Sequence, residues 1–184
     1  DHSQLNALPD HPLLRGQRLI GFFPGSSLGN FEATEAIVLL RHFRKLLNGG
    51  PLLLGLDHPK PQARMEAAYN DAAGISAAFA HNLLRRLNHE LEGDFALDNF
   101  TYRASWQAEQ SRVQMELISK CEQLVTVAGQ QWLFNAGESL ITEYSIKYLP
   151  EAALAVVAEA GWHGVQRWHD PADEFSLHLL KPSD

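Results

Sequence analysis

The run Arg18-Leu-Ile-Gly-Phe-Phe23 passes straight into Pro24-Gly-Ser-Ser-Leu-Gly-Asn30, and this junction limits the possible folds more than any other part of the chain. Its first half reads as a fully buried strand, its second as a loop, and a helix-forming run begins near Glu32. In open α/β sheets, ligands bind where strands end in such loops, at the carboxyl edge. Pro24, Gly25 and Gly29 let the backbone turn sharply and approach a ligand closely. Asn30 offers both a donor and an acceptor, which suits a bound ligand. It suits the N-cap of the following helix equally well. The loop alone leaves both roles open.

The pattern continues as a βαβ unit. Ile37, Leu40, Phe43 and Leu47 recur at helical spacing, and Gly49-Gly50 supplies a stop. Pro51-Leu-Leu-Leu-Gly-Leu56 is a short apolar run ending in Asp57, the signature of a strand buried on both faces. From Pro61 to Leu91 the chain is alanine-rich and reads as two helices broken near Gly74. Phe100, Tyr102, Ala104 and Trp106 then alternate with polar residues, as do Val113, Met115 and Leu117 after a turn near Gln110. Leu124–Ala128 reads as a third strand. A helix around Ala152–Ala160, entered at Pro150 and ended at Gly161, returns to the first architecture. Two strands, Val165–Trp168 and Phe175–Leu180, close the chain as a hairpin. The expected organisation is an α/β core from 1–59 and 149–184 with an inserted α+β lobe at 60–148.

Composition narrows the functional classes. A chain of 184 residues with 45% hydrophobic and 20% charged residues is ordinary for a globular protein with a real core. A net charge of −7 argues against nucleic acid, whose phosphates call for clustered Lys and Arg. The nearest basic cluster, Arg41, Arg44 and Lys45, reads as a solvated helix face. No apolar run approaches the ~20 residues that span a bilayer, so no membrane partner is expected. The opening Asp-His-Ser-Gln-Leu-Asn lacks a signal-peptide pattern and Cys121 stands alone, so the expected location is the reducing cytoplasm. His58, His81, His89, His163 and His169 show no paired ligand spacing with Cys121, so no metal is expected.

Two further stretches could carry chemistry. Glu66-Ala-Ala-Tyr69-Asn70-Asp71 places a tyrosine and polar groups at a helix end, where Asn and Asp also serve as caps. In Glu138-Ser-Leu-Ile-Thr142-Glu143-Tyr144-Ser145-Ile146-Lys147, an extended backbone would point Glu143 and Ser145 the same way. A carboxylate beside a hydroxyl could hold both nitrogens of an imidazole, or an ammonium. A helical backbone would instead make Glu143 and Lys147 a surface pair. Met115, on its alternating strand, suits core packing or a pocket wall.

Phe22-Phe-Pro-Gly-Ser-Ser-Leu-Gly-Asn-Phe31, Glu66-Ala-Ala-Tyr-Asn-Asp-Ala-Ala-Gly74 and Ile141-Thr-Glu-Tyr-Ser-Ile-Lys147, in this order and with Asp98–Phe100 and Trp106 between them, give the chain a specific likeness. It resembles the histidine-specific, S-adenosylmethionine-dependent methyltransferases of ergothioneine biosynthesis, which trimethylate the α-amino group of L-histidine to hercynine. The resemblance implies the C-terminal part of a class I methyltransferase Rossmann-like sheet with an inserted substrate-binding lobe. It implies that Asn30 and Tyr69 hold the amino and carboxylate end of histidine as the catalytic pair. Glu143 and Ser145 would read the imidazole, and Met115 would line the same pocket. Gly25 and Asp1 would lie beside S-adenosylmethionine. The glycine-rich cofactor turn, the ribose-binding acid and an upstream substrate tyrosine of that family are absent from this sequence. The expectation is therefore a part of the enzyme that is inactive alone and prone to self-association through an exposed sheet edge at Leu19–Phe23. Two alternatives stand beside it: a methyltransferase for another amino acid, and a non-catalytic ligand-binding module.

Overall fold

The structure, a computed structural model, describes residues 8–12 and 14–183. In chain order its elements are β1 (Gly21–Phe23), α1 (Ala33–Leu47), β2 (Leu52–Asp57), α2 (Gln62–Tyr69), α3 (Ile75–Glu90), β3 (Phe100–Gln107), β4 (Arg112–Ser119), β5 (Gln123–Val127), β6 (Gln130–Phe134), β7 (Ser139–Ile146), α4 (Pro150–Glu159), β8 (Trp162–His169) and β9 (Phe175–Pro182). The chain forms two compact units. One is built from the chain up to Lys60 and from Ile146 onward, the other from Pro61–Ser145.

The first unit is a four-stranded mixed sheet in the order β1-β2-β9-β8. β1 and β2 run parallel, joined through α1, whereas β9 is antiparallel to both β2 and β8. This is the expected α/β class, with a parallel pair and a hairpin finish. Helix α1 begins with a reciprocal capping box between Glu32 and Glu35. It buries Ala36, Ile37, Leu39 and Leu40 and ends where Asn48 turns left-handed. Those side chains meet Leu52, Leu54 and Leu56 of β2 and Val156 and Val157 of α4 in one core. Trp162 is fully buried there, and its indole N–H donates to the Leu40 carbonyl at 2.9 Å.

One expectation fails in this unit. The Arg18–Phe23 run is not a fully buried strand: β1 has three residues, and Ile20 and Phe22 are 61% and 69% exposed. The cause is position, because β1 ends the strand order and β2 takes the central place. Arg41, Arg44 and Lys45 are exposed, as expected of a solvated face, and two of them also reach carbonyls. Arg41 donates to the Glu159 carbonyl at the end of α4, and Arg44 to the Ser183 carbonyl. Arg41 thereby satisfies a carbonyl that a helix terminus leaves without an intrahelical partner.

At the carboxyl end of β2, Asp57 holds two lysines. Lys147 reaches it at 2.8 Å, and Lys60 also pairs with it. Lys147 is only 3% exposed, so its ammonium has lost nearly all its water. The Asp57 backbone N–H donates to Ser26 Oγ at 2.9 Å, tying the loop after β1 to the same point. Next to it, buried His58 bridges the Tyr148 carbonyl at 2.6 Å and Ser176 Oγ at 2.7 Å. Ser176 also meets His178, whose imidazole burial drives down to about 4.

The second unit has a three-stranded sheet, β3-β4-β7, and a separate β5-β6 hairpin. Helices α2 and α3 break at Gly74, whose φ of 69° favours glycine, and Asp71 accepts the N–H groups of Ile75 and Ser76 at 2.8 Å. Leu84 of α3 packs with Phe95, Phe100, Leu117 and Val125, while Met65 of α2 packs with Ala104, Val113 and Met115. Strand β5 matches the third expected strand, but it pairs with β6 rather than with β4.

Burial pushes the Asp57 carboxyl upward, but the hydrogen bonds and charges of Lys147 and Lys60 outweigh it and hold Asp57 below the usual carboxylate range. A carboxyl depressed in the folded state contributes stability above its unfolded value of about 4, and loses it as pH falls through the folded one. Asp57→Asn should cost about 3–5 kcal/mol at pH 7, because it leaves a buried ammonium without this carboxylate. The difference between wild type and variant should shrink below about pH 4. Urea denaturation at pH 7 and pH 3 checks both, and a pH-independent difference would contradict the ion-pair account.

Candidate functional site

Strand β7 settles how the Glu143 stretch lies. Residues Ser139–Ile146 are extended, so Glu143 and Ser145 share a face and no helical Glu143–Lys147 pair forms. Ser145 is buried, and its Oγ is 2.9 Å from the Tyr69 hydroxyl. Tyr69 is the last residue of α2, and its carbonyl accepts the Tyr102 hydroxyl at 3.0 Å. Burial, with the nearby negative charge of Asp71 and Glu143, pushes the Tyr102 phenol up to about 12, so it stays a donor at any ordinary pH. Met115 on β4 is buried opposite Ala104.

These elements border a cavity of about 520 Å³. Helix α3 contributes Ile75, Phe79 and Leu83, and the strands contribute Tyr102, Met115 and Glu143. Glu143 is half-buried and makes no hydrogen bond or ion pair with any described residue. Loss of water alone raises its pKa. The other charged residue on the wall, Arg86, is already paired with Glu90 at 2.8 Å. A carboxylate in this setting accepts an N–H donor readily, since a partner returns what desolvation removed.

Asn30 and Gly25 lie in the first unit, in the loop after β1. Asn30 closes a 3₁₀ turn over Ser27–Asn30, is exposed, and makes no side-chain hydrogen bond with a described residue. It is not the helix cap, because Glu32 takes that position. Gly25 is exposed at the carboxyl end of β1, and a Cβ there would meet only Ser27 Oγ at 3.6 Å, so the loop leaves room for a ligand. Gly29 is different: a Cβ would collide with the Ile146 carbonyl, and only glycine allows that approach. Asp1 lies outside the described residues. Gly25-Ser-Ser-Leu-Gly29 spells the Gly-x-Ser-x-Gly of a nucleophile elbow, yet Ser27 only opens the 3₁₀ turn. No described histidine is hydrogen-bonded to Ser27, so no elbow chemistry follows. Among the described residues, no group of three or more His, Cys, Asp or Glu could hold a metal.

The structure thus links Tyr69 to Ser145 by a hydrogen bond, sets Met115 and Glu143 on one cavity wall, and leaves Asn30 and Gly25 on a loop of the other unit. Sequence reasoning missed Tyr102, whose alternation with Phe100 and Ala104 marks it as a core residue and hides its hydroxyl's role. It also missed the α3 wall, since Ile75, Phe79 and Leu83 at helical spacing look like any buried stripe.

Comparison with known proteins places the chain in a family. A family model described as histidine-specific methyltransferase, SAM-dependent, matches residues 1–182. The chain belongs to this family. It is 41% identical over 167 residues to the histidine N-alpha-methyltransferase of Mycolicibacterium smegmatis, covering 89% of this chain and 52% of that protein. It is 38% identical over 168 residues to the protein of the same name from Mycobacterium tuberculosis, covering 90% and 52%. Ergothioneine biosynthesis protein 1 of Neurospora crassa is 32% identical over 166 residues, covering 86% of this chain and 18% of that protein. The chain therefore spans about half the length of the two mycobacterial relatives. Among solved structures, an S-adenosylmethionine-dependent methyltransferase from Clostridium acetobutylicum is similar with a TM-score of 0.49 and 12% identity, covering 100% of this chain and 63% of that one.

In this member of the histidine-specific methyltransferase family, the raised Glu143 carboxyl has a measurable consequence. A carboxyl that ionises less readily when folded lowers stability once pH rises through the window between its unfolded value, about 4.3, and its folded one. Glu143→Gln should therefore raise the urea midpoint at pH 7 and leave it unchanged at pH 3.5. A lower midpoint at pH 7 would mean that Glu143 has a partner after all.

Proposed function

We propose that the enzyme of which this chain forms the matched part transfers methyl groups from S-adenosylmethionine to the α-amino nitrogen of L-histidine, forming hercynine. The observation that carries this reading is Glu143, a half-buried carboxylate with no hydrogen-bond or ion-pair partner among the described residues, facing a cavity walled by Phe79, Tyr102 and Met115. An imidazole offers an N–H to a carboxylate and two flat apolar faces to such walls. Its second nitrogen needs a hydroxyl, and Ser145 lies two residues along the same strand face. The names of the mycobacterial relatives support the same substrate.

S-adenosylmethionine would supply an electrophilic methyl group, with Gly25 and Asp1 as the residues proposed to lie beside it. The protein's task is then to present a neutral amine in line with that methyl. The Asn30 amide oxygen would accept from the amine and aim its lone pair. Tyr69 would bind the amino-acid head group while its hydroxyl stays tied to Ser145, so that head group and ring are read by connected residues. A substrate without an imidazole would leave Glu143 buried and unpaired, and this cost is the source of selectivity.

The test is kcat/KM for histidine and for a bulky aromatic amino acid in the full-length enzyme. Glu143→Ala should lower the histidine value about ten- to a hundred-fold, the worth of one charge-assisted hydrogen bond, and leave the aromatic value unchanged or higher. Asn30→Ala should weaken both amino acids alike, because it would touch only the shared head group. Equal losses for both substrates in Glu143→Ala would sink the imidazole assignment.

A further inference from the structure

We propose that Asn70, with Glu66 behind it, is a positioning residue that fixes Tyr69 by standing in for a missing strand beside β3. The inference deepens the reading of Tyr69 as the head-group residue and rests on it for its catalytic half.

β3 ends the order β3-β4-β7, so among the described residues the polar backbone groups on its outer side have no neighbouring strand. Side chains occupy them instead. Asn70 is the C-cap residue of α2, and its amide faces Ala104 as a strand residue would. Oδ1 accepts the Ala104 N–H at 2.9 Å and Nδ2 donates to the Ala104 carbonyl at 2.8 Å. One turn back, Glu66 Oε1 accepts the Trp106 N–H at 3.1 Å and the Gln62 amide at 2.9 Å, and these bonds hold its carboxyl below the usual range. On the other flank, His81 Nε2 meets the Phe100 carbonyl at 3.1 Å. Asn70 Nδ2 also returns to the Glu66 carbonyl at 2.9 Å, alongside the Asn70 N–H at 2.8 Å, which locks the last turn of α2.

Tyr69 sits between these anchors. Its own carbonyl is held by Tyr102, two residues before the Asn70 contact on β3, and its hydroxyl reaches Ser145 on β7. Tyr69 therefore links a side chain of β3, at its carbonyl, to β7, at its hydroxyl, with its backbone end held beside Asn70. A primary amide has its donor and acceptor side by side and can pair with both the N–H and the C=O of one strand residue, as a neighbouring strand would, and Asn has a shorter reach than Gln. An Asn directly after Tyr69 sets the register of α2 on β3, and with it the place of the Tyr69 hydroxyl.

The test combines activity with two readouts of the ligand-free protein. Asn70→Ala should lower kcat/KM for histidine by roughly ten- to a hundred-fold, as expected for a displaced substrate contact. In the Tyr69→Phe background the same substitution should cost much less, because the group it positions is gone. Without ligand, Asn70→Ala should speed hydrogen exchange at the Ala104 amide and shift the fluorine resonance of 3-fluorotyrosine at position 69, assigned by its loss in Tyr69→Phe. Should Asn70→Ala fail to fold, Asn70→Asp keeps the acceptor for Ala104 and loses both donations, and an intermediate shift in every readout is expected. Unchanged Ala104 exchange and an unchanged fluorine signal would overturn the positioning role, as would fully additive losses in the double variant. If Tyr69→Phe leaves histidine kinetics untouched while exchange and fluorine both respond, the substrate role of Tyr69 fails and the positioning of its ring stands.

Discussion

One carboxylate grips the chain on either side of its long excursion through residues 61–145. Asp57 holds Lys60, the last residue before that excursion, and Lys147, the second residue after it. It lies at the carboxyl end of a strand buried on both faces, which gives it a rigid base. A lysine as buried as Lys147 is tolerable only beside such a carboxylate. Through its backbone N–H the same residue anchors Ser26, and so the loop that ends in Asn30. The neighbouring His58, hydrogen-bonded on both ring nitrogens, fixes the Tyr148 carbonyl in the same place. An otherwise leucine-rich sheet thus carries its polar joints at one end of one strand.

Much of this architecture is legible in local pattern. The βαβ start, the break at Gly74, the alternation of β3 and β4 and the closing hairpin depend on period, glycine and proline, which act over a few residues. What escapes is set by partners distant in sequence. Leu19–Phe23 is as apolar as Leu52–Leu56, yet one lies at the edge and the other at the centre because β9 arrives from more than a hundred residues away to pair with β2. Arg41 and Arg44 lie on an exposed face as their pattern suggests, but the carbonyls they also reach, of Glu159 and Ser183, are more than a hundred residues away. Strand β6 escapes because Gln130-Gln-Trp-Leu-Phe134 has neither clean alternation nor a continuous apolar run.

The candidate site divides in the same way. Tyr69, Glu143 and Ser145 stand out only because three motifs occur together, and no single one distinguishes a cap or a surface pair from a substrate contact. Geometry adds what residue type cannot supply: extended backbone at β7, a tyrosine hydroxyl on a serine, and a carboxylate without a partner among the described residues. It also explains why Asn70 and Asp71, both reasonable caps in sequence, do different work. Asp71 caps α3, while Asn70 reaches sideways to β3.

That sideways reach has a consequence beyond the chemistry. An unpaired strand edge is a template on which a second chain can nucleate cross-chain β-structure and eventually aggregate. β3 has eight residues, long enough to serve as such a template, and carries no proline to spoil it. With Asn70 and Glu66 on the Ala104 and Trp106 amides and His81 at Phe100, an incoming strand finds these positions taken. The second unit therefore guards this edge with the same contacts that give it its shape, and a drift toward apolar residues at positions 66 and 70 would open a site for aggregation before it cost the unit its fold.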